Sequence, residues 1–153
     1  MDTRTASPGR PAVALATLLE QTARNIYEQR GPSHLHPVQW SALRFFARAN
    51  RSARSVAGLA RYLGVTLGPA SRTVGALKRG ELVEAERDPK DGRSSVISLT
   101  DKGRQMLDSD PILRLAGAIE DLPGDKATAL GESLTQLAAV LKDGAESADD
   151  SDD

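Results

Sequence analysis

The chain has 153 residues, 27% charged and 39% hydrophobic, with no cysteine and a formal net charge of -1. That length supports one core without staples, and the absence of cysteine excludes disulfides and thiolate metal sites. No apolar run approaches the roughly 20 residues that cross a bilayer. Residues 1–10 lack the apolar stretch of a signal peptide, so a soluble, cytoplasmic protein is expected.

In chain order, residues 1–10 are expected to be disordered, and Pro11 suits the first turn of a helix. From 12 to 30, Leu15, Leu18, Leu19, Ala23 and Ile26 follow helical spacing until Gly31-Pro32 stops the run. After a connector at 33–36, Pro37 opens a second helix that ends near Ala49 and turns Trp40, Leu43 and Phe46 or Ala47 inward. Residues 50–52 form a turn. Ser55 caps a short helix over 56–63, which Gly64 ends in the left-handed conformation. Val65 fills the turn and Thr66 caps the next helix, whose inward stripe reads Leu67, Ala70, Val74 and Leu77, with Gly80 just past its end.

Residues 82–87 and 94–99 pair as a hairpin across Asp88-Pro89-Lys90-Asp91-Gly92-Arg93, where Gly92 can supply positive φ. Thr100 caps a helix from Asp101 to about Ser109. Pro111 interrupts it before Ile112, Leu115, Ala116 and Ile119 continue an apolar face. The chain breaks again at 122–125. A last helix over 126–142 buries Ala127, Leu130, Leu134, Leu137, Ala138 and Leu141, and residues 144–153 are an acidic, disordered tail.

Helix, tight turn, helix and hairpin make a winged helix-turn-helix: a mainly α protein with a small β-hairpin wing, suited to gripping double-stranded DNA. The charge agrees. Residues 41–104 hold 13 Lys+Arg against 6 Asp+Glu, a net of +7, and residues 105–153 hold 3 against 12, a net of -9. A basic middle fits a face turned to a polyanion, and it also fits arginine-rich helices that are merely solvated.

Opposite the inward stripe of the second motif helix stands Arg72, flanked by Gly68, Pro69, Gly75, Ala76 and Arg79. Small residues around one arginine let the helix sit deep in the major groove, where a guanidinium can hold guanine O6 and N7 together. Ser71 and Thr73 lie on its shoulders, and the N–H groups after Thr66 can bind a phosphate. On the wing, Arg93 suits a narrow minor groove, and Asp91 can fix its direction by bidentate pairing. Lys90 and Arg87 read as phosphate contacts; Arg54, Arg61, Lys78 and Arg79 add to the field. The plainer alternatives are an ordinary exposed arginine at 72 and a simple turn former at Asp91.

This order of elements, with Leu99-Thr100-Asp101-Lys102-Gly103 directly after the hairpin, resembles the multiple-antibiotic-resistance regulator (MarR) family over residues 12–142. The family's wing pattern Asp-x-Arg-Asp-x-Arg reads here Asp88-Pro89-Lys90-Asp91-Gly92-Arg93, with lysine for the first arginine. At the exit of the recognition helix, residues 77–83, the family has Leu-x-x-x-Gly-Leu. Here Gly80 comes one place early and Glu81 stands where glycine is expected.

The resemblance implies a winged helix-turn-helix DNA-binding region over 37–104, flanked by a dimerisation helix and connector at 11–36 and C-terminal dimerisation helices at 105–143. The terminal segments carry more apolar positions than the central region can cover, which fits such a homodimer or an intramolecular bundle. A two-fold dimer would set its recognition helices roughly 34 Å apart on a palindromic operator. The family further implies a transcriptional repressor released by a small aromatic or phenolic ligand, in a crevice for which His36, Trp40 and Arg44 are candidate walls. Trp40 and Phe46 at helical spacing read more simply as core.

His34 and His36 alone fall short of a metal site, and no cofactor is expected. A winged helix used only as a protein-interaction module is the competing reading. No nucleophile–base set, phosphate loop or carboxylate pair points to an enzyme.

Overall fold

The structure, a computed structural model, describes residues 7–28, 35–87 and 95–149. Its elements are α1 (Arg10–Glu28), α2 (Pro37–Arg48), a 3-10 turn (Arg51–Ala53), α3 (Val56–Leu63), α4 (Leu67–Arg79), β1 (Val83–Arg87), β2 (Ser95–Leu99), α5 (Asp101–Leu107), α6 (Ile112–Glu120) and α7 (Gly124–Asp149). Two units form: Met1–Pro111 and Ile112–Asp153.

Local chemistry sets most boundaries. Ser55 Oγ accepts from the Gly58 N–H at 3.0 Å and so caps α3, which ends at Gly64 with φ 65 and ψ 36. Asn50 caps the 3-10 turn by accepting from the Ala53 N–H at 3.0 Å. Thr100 caps α5 through the Gly103 N–H, and its hydroxyl also donates to the Glu81 carbonyl at 2.7 Å. Thr66 stands at the N-cap of α4 as expected, but its hydroxyl makes no capping bond.

The core of the first unit gathers around α2. Trp40, Leu43 and Phe46 meet Leu59, Ala70, Val74, Leu77, Leu82 and Ile97, all buried. Each large side chain of this set contributes about 1.5–3 kcal/mol on leaving water. β1 and β2 pair antiparallel from Val83↔Leu99 to Arg87↔Ser95. The outward N–H of Ile97 donates to the Arg54 carbonyl at 2.8 Å, fastening the sheet to the segment before α3. A Cβ on Gly103 would lie 2.0 Å from the Leu82 carbonyl oxygen, so α5 approaches the backbone just before β1 only because residue 103 is glycine.

Several sequence expectations need correction. Leu67 does not join the buried stripe of α4: it is 59% exposed, and Thr73 takes that place. A threonine fits there because its hydroxyl donates to the Pro69 carbonyl one turn earlier at 3.1 Å, which satisfies the buried oxygen. The first strand begins one residue later than expected, at Val83, and α5 stops at Leu107 rather than Ser109; Ser94, the expected start of the second strand, lies outside the described residues. The helix of α1 already includes Arg10.

α7 starts at Gly124 and runs to Asp149, past the expected end at 142, so much of the segment read as a disordered tail is helical. Ala145 and Ala148 favour that continuation. The apolar stripe of α7 is not buried within the chain: Leu134, Leu137 and Leu141 are exposed. The positive φ near the exit of α4 falls on Glu81 (φ 60) and not on Gly80. The hairpin tip with Lys90, Asp91, Gly92 and Arg93, the Gly31-Pro32 stop and His34 lie outside the described residues. No described helix is long and apolar enough to cross a membrane.

Candidate nucleic-acid interface

Four buried residues, Ala70, Thr73, Val74 and Leu77, fix the rotation of α4 against the core. The helical period then aligns Gly68, Arg72, Gly75 and Arg79 along the opposite side. Both arginines are exposed. A Cβ on Gly68 would lie 3.7 Å from Arg72 Nη1, and one on Gly75 would lie 3.5 Å from Arg79 Nη1. Each guanidinium thus leans back over a glycine one turn before it, the direction that long side chains take on a helix. The result is a narrow ridge with two cationic forks and no bulk between them.

Ser71 is exposed beside Arg72, and Pro69 is half-buried. Thr73 departs from the expected DNA-facing role because it is turned into the core. The first turn of α4 carries no acidic residue and its last turn carries Lys78 and Arg79. Those charges complement the helix dipole and leave the N-terminal N–H groups open to an anion.

Neighbouring elements carry further cations. Arg61 on α3, Lys78 on α4 and Arg87 at the end of β1 are exposed. Arg54 plays a structural part, since its Nε donates to the Ala49 carbonyl at 2.9 Å and holds the turn between α2 and α3. Glu84 and Glu86 share one face of β1, so the described part of the hairpin is acidic on that side. The wing candidates Lys90, Asp91 and Arg93 fall outside the described residues.

The three residues expected to wall a ligand crevice have different surroundings in the chain. His36 is exposed at the start of α2, where its N–H donates to Gln39 Oε1 at 2.7 Å. Trp40 is 2% exposed and belongs to the core. Arg44 is held by Asp110, with Nε to Oδ2 at 2.6 Å and Nη2 to Oδ1 at 3.1 Å, and Nη2 also donates to the Tyr27 hydroxyl at 2.9 Å. Burial opposes the charge on Arg44, but the hydrogen bonds to Asp110 and Tyr27 and the neighbouring carboxylate outweigh it, so its pKa is raised.

Asp110 and Tyr27 were not legible as partners, since Asp110 lies 66 positions from Arg44. An open cleft of about 630 Å³ lies between α1 and the start of α2, lined by Glu20, Ala23, Arg24, Tyr27, Glu28 and Pro37; His36, Trp40 and Arg44 do not line it.

A helix-turn-helix packed on a two-stranded wing, with an arginine ridge on its second helix, defines the class: a winged helix-turn-helix protein. Residues 35–94 match the family model described as MarR family. No curated protein matches the chain.

Among solved structures, the S. aureus MepR–DNA complex aligns with TM-score 0.70 at 15% identity, covering 88% of this chain and 99% of that one. Streptococcus pneumoniae FabT in complex with DNA gives 0.68 at 19%, covering 88% and 96%. PcaV from Streptomyces coelicolor in complex with its natural ligand gives 0.63 at 21%, covering 91% and 96%. These likenesses establish a shared fold.

Proposed function

We propose that this chain is a homodimeric, sequence-specific DNA-binding transcriptional regulator, a repressor that a small-molecule ligand releases. The observation that carries the reading is the ridge of α4, where Arg72 and Arg79 stand exposed over Gly68 and Gly75 on the face turned away from the core. A helix of that cross-section fits the major groove, and a forked guanidinium suits guanine. Residues 37–104 form the DNA-binding region, with Thr66, Gly68, Pro69, Ser71, Arg72, Arg79 and Arg87 on or beside its contact surface and Lys90, Asp91 and Arg93 at the wing. FabT and MepR, both solved with DNA, support the partner; PcaV, solved with its natural ligand, supports a small-molecule input.

Two-fold assembly draws support from the terminal helices. Val13, Leu15, Leu18 and Leu19 on α1 are exposed, as are Leu134, Leu137, Val140 and Leu141 on α7. Apolar faces of that extent on α1 and α7 fit burial against a second copy. For the ligand, an aromatic acid drawn to Arg44 would have to displace Asp110, so binding and release of the Arg44 tie would be coupled.

The test is selection of duplexes from a random library by the full-length protein, followed by footprinting. An inverted repeat with half-sites roughly 34 Å apart supports the reading. Recovery of no enriched sequence, with unpatterned protection, overturns it and favours a protein-interaction module.

A further inference from the structure

The first residue of α4 is a leucine that the fold does not use. Leu67 is 59% exposed, while the residues that anchor the helix, Ala70, Thr73, Val74 and Leu77, are buried. It is not alone: Tyr62 at the end of α3 and Val65 in the turn are also exposed. The ring of Tyr62 stacks on Phe45 at 5.0 Å between centroids, so Tyr62 is held to α2.

We propose that Leu67 is a specificity-determining residue that reads a thymine by packing against its 5-methyl group in the major groove. The inference rests on the DNA-binding reading above and deepens it. In a helix-turn-helix, the N-terminal residues of the second helix meet base edges, and Leu67 is the first of them. Leu67 and Ser71 are one turn apart on the line that borders the Gly68–Arg72 ridge, and Ser71 is exposed too. Gly68 presents no side chain that could hold a base away from Leu67.

A leucine has no donor for a phosphate or a base edge. The apolar group that the major groove offers is the thymine methyl, which distinguishes T·A from every other pair. Continuity with the arginine ridge therefore fixes the occupant: Arg72 takes a guanine and Leu67 takes a thymine nearby. Together they define a two-point code that neither a basic surface nor a lone arginine would give.

The experiment uses the full-length protein and the best duplex selected from a random library, with each thymine replaced in turn by deoxyuridine, which removes only the methyl. One position should weaken binding by about three- to fivefold, the worth of one buried methyl group. Leu67→Ala should weaken binding to the thymine duplex and abolish the difference between thymine and deoxyuridine at that position alone; Leu67→Ile should keep it. Because Leu67 is exposed, both variants are expected to fold, and circular dichroism checks this.

Indifference of the wild type to every deoxyuridine, or an unchanged difference in Leu67→Ala, overturns the proposal while leaving the DNA-binding reading intact. A Leu67→Ala protein that binds DNA normally but loses self-association also overturns it, by making Leu67 a contact between copies. A wild type that prefers no duplex at all removes the underlying reading together with the inference.

Discussion

Arg72 lies over Gly68 and Arg79 over Gly75, but the two arginines are expected to do different work. Arg72 is near the N-terminal half of α4, where base edges are met; Arg79 is its last residue. Arg72→Ala should therefore cost about 1–3 kcal/mol on the selected duplex and flatten sequence preference. Arg79→Ala should weaken all duplexes alike, as loss of a phosphate contact does. Fluorescence anisotropy on matched and shuffled duplexes separates the two.

Glu81 gives a second residue-scale prediction, because its φ of 60 is one that L side chains adopt at a cost of roughly 1–2 kcal/mol. Glu81→Gly relieves that strain but loses the exposed Lys102 pair at 3.2 Å and adds freedom to the unfolded chain, so a change within about 1 kcal/mol is expected. Glu81→Val puts a β-branched side chain into the same conformation and should destabilise by more than 1 kcal/mol, roughly, in urea denaturation. The displaced glycine was visible in the sequence, but that Glu81 itself adopts the positive φ comes only from the structure. Leu67 was not visible, because spacing of 3, 4 and 3 fits an apolar stripe equally well without knowing that Thr73 can bury its hydroxyl on a neighbouring carbonyl.

Among the elements, the tie between Arg44 on α2, Tyr27 on α1 and Asp110 after α5 joins three separate segments of the first unit. Asp110 is nearly fully buried, so removing it leaves a cation without its carboxylate. Asp110→Ala is expected to cost roughly 3 kcal/mol of stability, measured by urea denaturation. Arg44's pKa is raised, so its stabilising effect is fully present below the ordinary guanidinium range and is lost only in still stronger alkali. Arg44 should therefore add no pH dependence to unfolding across the neutral range.

Gly103→Ala, which would drive a Cβ against the Leu82 carbonyl, should impair folding more than any surface change. Caps at Ser55, Gly64 and Thr100 were legible because each depends on residues within four positions. The Arg44 tie was not, since no local pattern announces a partner 66 positions away.

For the whole molecule, charge and apolar surface divide the labour. The net of +7 over residues 41–104 belongs to the winged helix and its neighbours, and the exposed leucines of α1 and α7 belong to the proposed dimer. Sedimentation equilibrium should give about twice the 16.3 kDa chain mass. Leu18→Glu combined with Leu137→Glu should shift the protein toward monomer and weaken binding to an inverted repeat more than to a single half-site. The order of elements and the amphipathic terminal helices could be read from periodicity. Which apolar faces are left uncovered could not, because periodicity alone does not say whether a partner helix lies in the same chain.

The most direct measurement of the central claim is a salt titration of the wild-type protein on its selected duplex and on a shuffled one. Counterion release predicts that both affinities fall steeply with salt, while the preference for the selected duplex stays at roughly a thousandfold or more. Equal affinity for the two duplexes at every salt concentration would contradict a base-reading α4 and leave only a basic surface.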